Sequence, residues 1–124
     1  MPTQVENISI LDAQRRMNRM KIVSITDSYI LFDNDNVITF DHDQTCCEWN
    51  YADFEQLDDI ARTTEFDPNL EFEALPEEGF LFGNRPNKMF FVPCYSSQNG
   101  YYSDEITIFY NYNTVLSFDA QEVL

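Results

Sequence analysis

Residues 21–40 read KIVSITDSYILFDNDNVITF, and the fold class is decided here. Ile22, Val23 and Ile25, then Tyr29 to Phe32, then Val37 to Phe40 are short β-branched or aromatic runs separated by turn residues, the pattern of three strands. Asp33-Asn34-Asp35-Asn36 tolerates positive φ and bonds its own backbone, so a tight hairpin joins the second and third runs, which are expected to pair antiparallel.

The same pattern recurs downstream. Leu70-Glu71-Phe72-Glu73-Ala74 alternates with period two and ends at Pro76, as a strand with one wet face does. Phe80 to Phe82, Lys88 to Val92, Asp104 to Tyr110 and Thr114 to Phe118 predict four further strands, joined by Asn84 to Asn87, Ser96 to Gly100 and Asn111 to Asn113. Two segments carry helical spacing instead. Ser9 to Met20 places Ile10, Ala13, Met17 and Met20 on one face, with Ser9 and Asp12 resembling a capping box. Asn50 to Arg62 spaces Tyr51, Phe54, Leu57, Ile60 and Ala61 by three and four residues among acids, which predicts a short acidic helix on the sheet. The expectation is a single α+β domain over residues 1–124, mainly antiparallel sheet with one or two short helices. Its core spans 19–118, with an N-terminal helix or arm over 1–18 and a loose tail over 119–124.

Length and charge bound what such a domain does. A chain of 124 residues with 44% hydrophobic residues supports one core. Seven Lys plus Arg against 22 Asp plus Glu give a formal net charge of −15, which opposes attraction to nucleic acid or an anionic membrane and favours a basic partner. No apolar run approaches the roughly 20 residues of a membrane-spanning helix, and the amino-terminal residues lack a basic start followed by an apolar stretch, so a cytoplasmic location is expected. Cys46, Cys47 and Cys94 are an odd set with one adjacent pair, which suits reduced thiols better than disulfides.

Two segments stand out chemically. His42-Asp43-Gln44-Thr45-Cys46-Cys47-Glu48 holds the only histidine and two of the three cysteines. Zinc would use these ligand types, but adjacent cysteines on extended backbone point to opposite sides, and neither a C-x-x-C pair nor a second histidine completes four ligands, so no metal is expected. A Cys nucleophile activated by His42 is disfavoured by the carboxylates of Asp41, Asp43 and Glu48, which oppose a thiolate. The simplest physical reading is a core cysteine beside an irregular turn held by His42 and Glu48. The second segment, Ser96-Ser97-Gln98-Asn99-Gly100-Tyr101-Tyr102-Ser103, is a hairpin turn on its face, although the Asn99 amide can read a polar edge and a tyrosine can stack on a planar base. Phosphate loops, nucleophile elbows and EF-hand series are absent from the sequence, so neither an enzyme nor a cofactor is expected.

Taken together and in order, HDQTCCE (His42 to Glu48), the acidic aromatic stretch Trp49-Asn50-Tyr51-Ala52-Asp53 with Leu57-Asp58-Asp59, and NGYYS (Asn99 to Ser103) resemble the phage-encoded Thoeris anti-defence family, the type-one nucleotide sponges. The likeness covers roughly Lys21 to Tyr110. Thr45 stands where the family commonly carries an acid, and Gln98 where it carries a serine. The resemblance implies a non-catalytic protein, acting in the host cytoplasm, that sequesters a cyclic ADP-ribose-type immune signal and forms a homodimer or larger homo-oligomer. It implies that Asn99, Gly100, Tyr101 and Tyr102 face the ligand and that His42, Asp43, Gln44, Cys46, Cys47 and Glu48 are a structural signature. A pyrophosphate also wants cations, for which Arg62, Arg85, Lys88 and the Arg15 to Lys21 patch are the candidates, with Arg85 and Lys88 expected beside the Asn99 turn. The alternative is an acidic inhibitor, of the immunity, anti-restriction or anti-CRISPR kind, that covers a basic nuclease or DNA-binding surface.

Overall fold

Aromatic and β-branched residues at every second position give strands with one apolar face, and in this chain two such faces close on each other. The computed structural model describes residues 18–41, 48–98 and 103–123. One sheet has the order β1-β2-β3-β8-β9, built from β1 (Ile22–Ile25), β2 (Tyr29–Phe32), β3 (Val37–Phe40), β8 (Glu105–Tyr110) and β9 (Asn113–Asp119). The other has the order β10-β7-β6-β5, from β5 (Glu71–Leu75), β6 (Gly79–Gly83), β7 (Met89–Gln98) and β10 (Gln121–Val123), with β4 (Glu48–Ala52) also paired to β7. All pairings are antiparallel except β10 with β7. The mainly antiparallel single domain is therefore as expected.

Phenylalanine fills the space between the sheets. Phe66 sits at the centre, with Phe32, Phe82 and Phe90 at centroid distances of 5.8, 5.7 and 5.7 Å, and all four rings are almost wholly buried. Tilted and edge-on contacts of this kind add to the stabilisation from burial alone. Phe66 is held by a two-way backbone bridge to Met20, with both N–H···O distances 2.8 Å.

The turns obey local chemistry. Asp35 takes positive φ in the β2–β3 hairpin, and Asn111 and Tyr112 both do so in the two-residue β8–β9 turn, whose flanking residues Tyr110 and Asn113 pair. Gly79, at the start of β6, is required by close approach: a Cβ there would overlap the Val92 carbonyl oxygen and lie 2.9 Å from Pro93 Cα.

Three expectations need correction. The segment Asn50 to Arg62 is not one helix. Its first residues extend as β4, and two single-turn 3-10 helices follow at Phe54–Gln56 and Asp59–Thr63. Phe54, Leu57 and Ala61 are buried together, so the apolar spacing reflects a real inward face. Pairing with β7 claims the first turn for the sheet, and Asp58, which accepts from Ile60 N–H at 3.0 Å, starts a fresh turn. The tail is not loose: Ala120 is a buried plug whose N–H donates to Asp104 O, and β10 pairs with Tyr95, Ser96 and Ser97 beyond it. Finally, Ser96 to Gln98 are strand rather than connection, because β7 runs on to meet β4. The helix expected over Ser9 to Met20 falls almost entirely outside the described residues, and Met20 itself is extended.

Candidate functional site at the paired ends of β4 and β7

The two chemically unusual segments lie some 50 residues apart in sequence, yet the pairing of β4 with β7 brings their flanks together. Glu48, which follows the His42 to Cys47 segment, is the register partner of Gln98, which precedes Asn99. The segment that begins again at Ser103 is tied to the same place by Asn50, whose Nδ2 donates to Ser103 O and Glu105 O, both at 2.9 Å. His42, Asp43, Gln44, Cys46, Cys47, Asn99, Gly100, Tyr101 and Tyr102 lie outside the described residues, so the site is defined by the strands that lead into and out of them.

Alternation sorts the two faces of this strand pair. Asn50 and Ala52 point inward opposite Ser96 and Cys94, while Trp49 and Tyr51 point outward beside Ser97 and Tyr95. On the inner side Asn50 and Ser96 are 3% and 0% exposed. Ser96 Oγ lies 2.5 Å from Asn50 Oδ1 and 2.7 Å from Asp104 Oδ1. The two carbonyls in front of Nδ2 fix the amide orientation, since the flipped amide would set its oxygen against both. A buried polar cluster thus clamps β4, β7 and the start of β8, and every buried side-chain nitrogen and oxygen among the described residues has a partner.

On the outer side, Trp49 is 66% exposed and packs edge-on to Tyr51 at 6.4 Å, and Tyr51 meets Tyr95 at 5.5 Å. Gln56 Nε2 lies 3.2 Å from Tyr95 Oη and 2.7 Å from Asp53 Oδ2, which orients the ring and the amide together. The third cysteine, Cys94, is wholly buried, and burial pushes its thiol well above the ordinary range, so it is a core residue.

The expected cations are elsewhere. Arg85 and Lys88 sit in the loop before β7, whereas Gln98 ends it, about 30 Å away along an extended strand. Arg85 Nη2 is 2.6 Å from Glu73 Oε1, and its backbone N–H donates to Glu71 Oε2. Lys88 Nζ is 3.1 Å from Asp58 Oδ2 and 5.3 Å from the Phe90 ring centre. Lys88 borders a cavity of about 140 Å³ with Ile60, Thr64 and Asn87, well below the several hundred Å³ of a small-molecule site. Within one chain, Arg85 and Lys88 therefore do not join the β4–β7 end.

Asn50, Ser96 and Asp104 were not foreseen from sequence as a cluster. The available signal was a polar residue in the inward phase of an alternating run, Trp49-Asn50-Tyr51-Ala52, opposite a serine in the inward phase of β7. Among the described residues no group of three His, Cys, Asp or Glu forms a metal-ligand cluster, and no helix is long and apolar enough to cross a membrane. Comparison with protein-family models, with curated proteins and with solved structures finds no match to this chain.

Proposed function

We propose that this chain binds and sequesters a small cyclic ADP-ribose-type nucleotide, without turnover, at the end of β4 and β7. The observation that carries the reading is the Glu48–Gln98 register pair, which sets the flanks of both signature segments side by side. Segments that carry a shared ligand site have to converge, and a rigid polar clamp behind them gives the pre-organisation that affinity without catalysis requires. The family likeness of HDQTCCE and NGYYS supplies the ligand class. Because Arg85 and Lys88 sit at the far end of β7, charge for a pyrophosphate has to come from other basic residues or from a second copy of the chain, as in the homo-oligomer that the family likeness implies together with a site of action in the host cytoplasm. Isothermal titration with cyclic ADP-ribose isomers, alongside cyclic di- and trinucleotides, tests this. Tight, saturable binding that Asn99→Ala removes is the expected result, and a flat response from folded protein defeats the reading.

A second reading is favoured by a separate observation. The net charge is −15, and Arg85, Lys88 and Lys21 are each within 4.0 Å of a carboxylate oxygen, which leaves a surface suited to a basic protein. As an acidic inhibitor the chain would cover a cationic nuclease or DNA-binding groove, and its complex would weaken steeply with salt.

A further inference from the structure

The outward face of the second sheet is unusual for so acidic a protein. Along β7 the even-numbered residues Phe90, Val92, Cys94 and Ser96 are buried, while Phe91, Tyr95 and Ser97 reach the outer surface on either side of the buried Pro93. Phe91 is 40% exposed, Tyr95 is half-buried, and Tyr51 and the 66% exposed Trp49 continue the line onto β4. From Phe91 to Ser97 the stripe runs for six residues of β7, roughly 20 Å. Singly scattered exposed hydrophobics need no explanation, but an aligned aromatic row does.

The chemistry around the row selects its occupant. The described outward positions of β4 and β7 carry no Lys or Arg, so nothing on this face compensates a phosphate. Carboxylates mark both ends. Glu73 lies across β6 from Phe91 through Leu81, and Asp53 sits beyond Tyr51, held by Gln56. At the Glu73 end the protein already seats a guanidinium, because Arg85 bridges Glu71 and Glu73 at 4.0 and 2.6 Å. Aromatic faces and carboxylates together are the surroundings that Arg side chains prefer, stacked on a ring and paired at the head.

We propose that this stripe, Phe91, Tyr95, Tyr51 and Trp49, docks an extended arginine-rich segment of a partner protein. The proposal deepens the protein-binding reading and is independent of the nucleotide one. The fixed aromatic rings supply planar, low-entropy stacking surfaces, and the net charge of −15 draws the segment in.

Fluorescence anisotropy of a labelled nine-residue oligoarginine, titrated with the full chain, tests it. Trp49 is the only tryptophan, so its own emission reports contact on the same titration. Trp49→Ala is expected to weaken binding about ten-fold or more, with an unchanged thermal melt because the ring is mostly in solvent. Arg85→Ala, which releases Glu71 and Glu73, is expected to tighten it, an outcome that misfolding does not produce. Asp27→Asn, in the exposed β1–β2 turn of the other sheet, is expected to change affinity less than two-fold. Binding that is equally sensitive to Asp27→Asn and insensitive to Trp49→Ala overturns the stripe while leaving protein binding intact. A chain that binds neither the peptide nor any basic protein defeats both. Self-association abolished by Trp49→Ala, with peptide binding unchanged, assigns the face to a second copy and also overturns the proposal.

Discussion

Replacing Asn50 by alanine is expected to loosen the β4–β7–β8 junction more than any exposed substitution in the same region. Asn50 is 3% exposed, and its side chain satisfies two backbone carbonyls at 2.9 Å and meets Ser96 Oγ at 2.5 Å. Alanine removes both bonds to the carbonyls and the contact with Ser96, whose hydroxyl keeps Asp104 as a partner, and leaves the two carbonyls facing a small void. At about 1 kcal/mol per net bond, with an added cost for groups left unsatisfied, the loss is about 3–4 kcal/mol. For a chain of 124 residues the unfolding entropy is roughly 0.26 kcal/mol/K, so Tm falls by about 12–15 °C. Calorimetry gives the shift directly, and urea titration at unchanged slope shows that stability rather than compactness has altered. Asn50→Asp is the sharper test, because it keeps the shape but turns a carboxylate oxygen toward Ser103 O and Glu105 O. It should be at least as harmful as alanine at pH 7 and partly recover in acid, where the protonated group can donate one bond. A loss below about 1 kcal/mol for both variants would refute the clamp.

Three further outcomes follow from other contacts. Tyr110→Phe removes a hydroxyl that donates to Pro68 O at 2.7 Å and accepts from Asn36 Nδ2 at 2.9 Å, so thermal melts should show a loss of about 1–2 kcal/mol. Desolvation, with Asp67 adding to it and Asn36 opposing it, pushes the Tyr110 phenol up, so this contribution is complete below about pH 10 and is lost as pH rises further; the alkaline decline in Tm should shrink in the Phe variant. Gly79→Ala forces β6 away from Val92 and Pro93 and should cost at least about 2 kcal/mol by urea denaturation. Asp58 is held below the ordinary carboxylate range, first by the Ile60 N–H and then by Lys88. Its stabilising effect is therefore present above about pH 4 and fades as pH falls through the lowered value. Lys88→Ala should raise its NMR titration midpoint only part of the way, because the Ile60 bond remains.

Alternation carried most of the fold into view. Runs such as Tyr29 to Phe32 and Glu71 to Leu75 show their period within a few residues, and each is followed by a turn whose chemistry is local. β4 was hidden because Asn50 looks wrong for a strand interior until Ser96 and the carbonyls of Ser103 and Glu105 are placed around it, and those partners lie 46 to 55 residues away. β10 was hidden for a similar reason: three residues, Gln121 to Val123, carry no readable period, and what positions them is the burial of Ala120 beside Asp104. That Glu48 and Gln98, the flanks of the two signature segments, are register partners was not legible, since it depends on a strand pair that sequence alone did not reveal. The displaced cations are the reverse case. Arg85 and Lys88 were legible as residues, but their distance from Gln98 follows only once β7 is seen to be ten residues long and unbroken.

The long-range pairing of the first sheet also bears on the order in which the chain matures during synthesis. The β1–β2–β3 meander emerges early, but the far side of β3 is completed by β8, and Asn36 waits for Tyr110, 74 residues later. At translation rates of about 5–20 residues per second, that interval is roughly 4 to 15 s. For that time an apolar strand edge, Val37 to Phe40, lies open on the nascent chain. Asp33, Asp35 and Asp41 flank that edge and give it a charged guard against pairing with a neighbouring ribosome's product. On this view some of the acidity of the chain serves its birth as much as its finished surface.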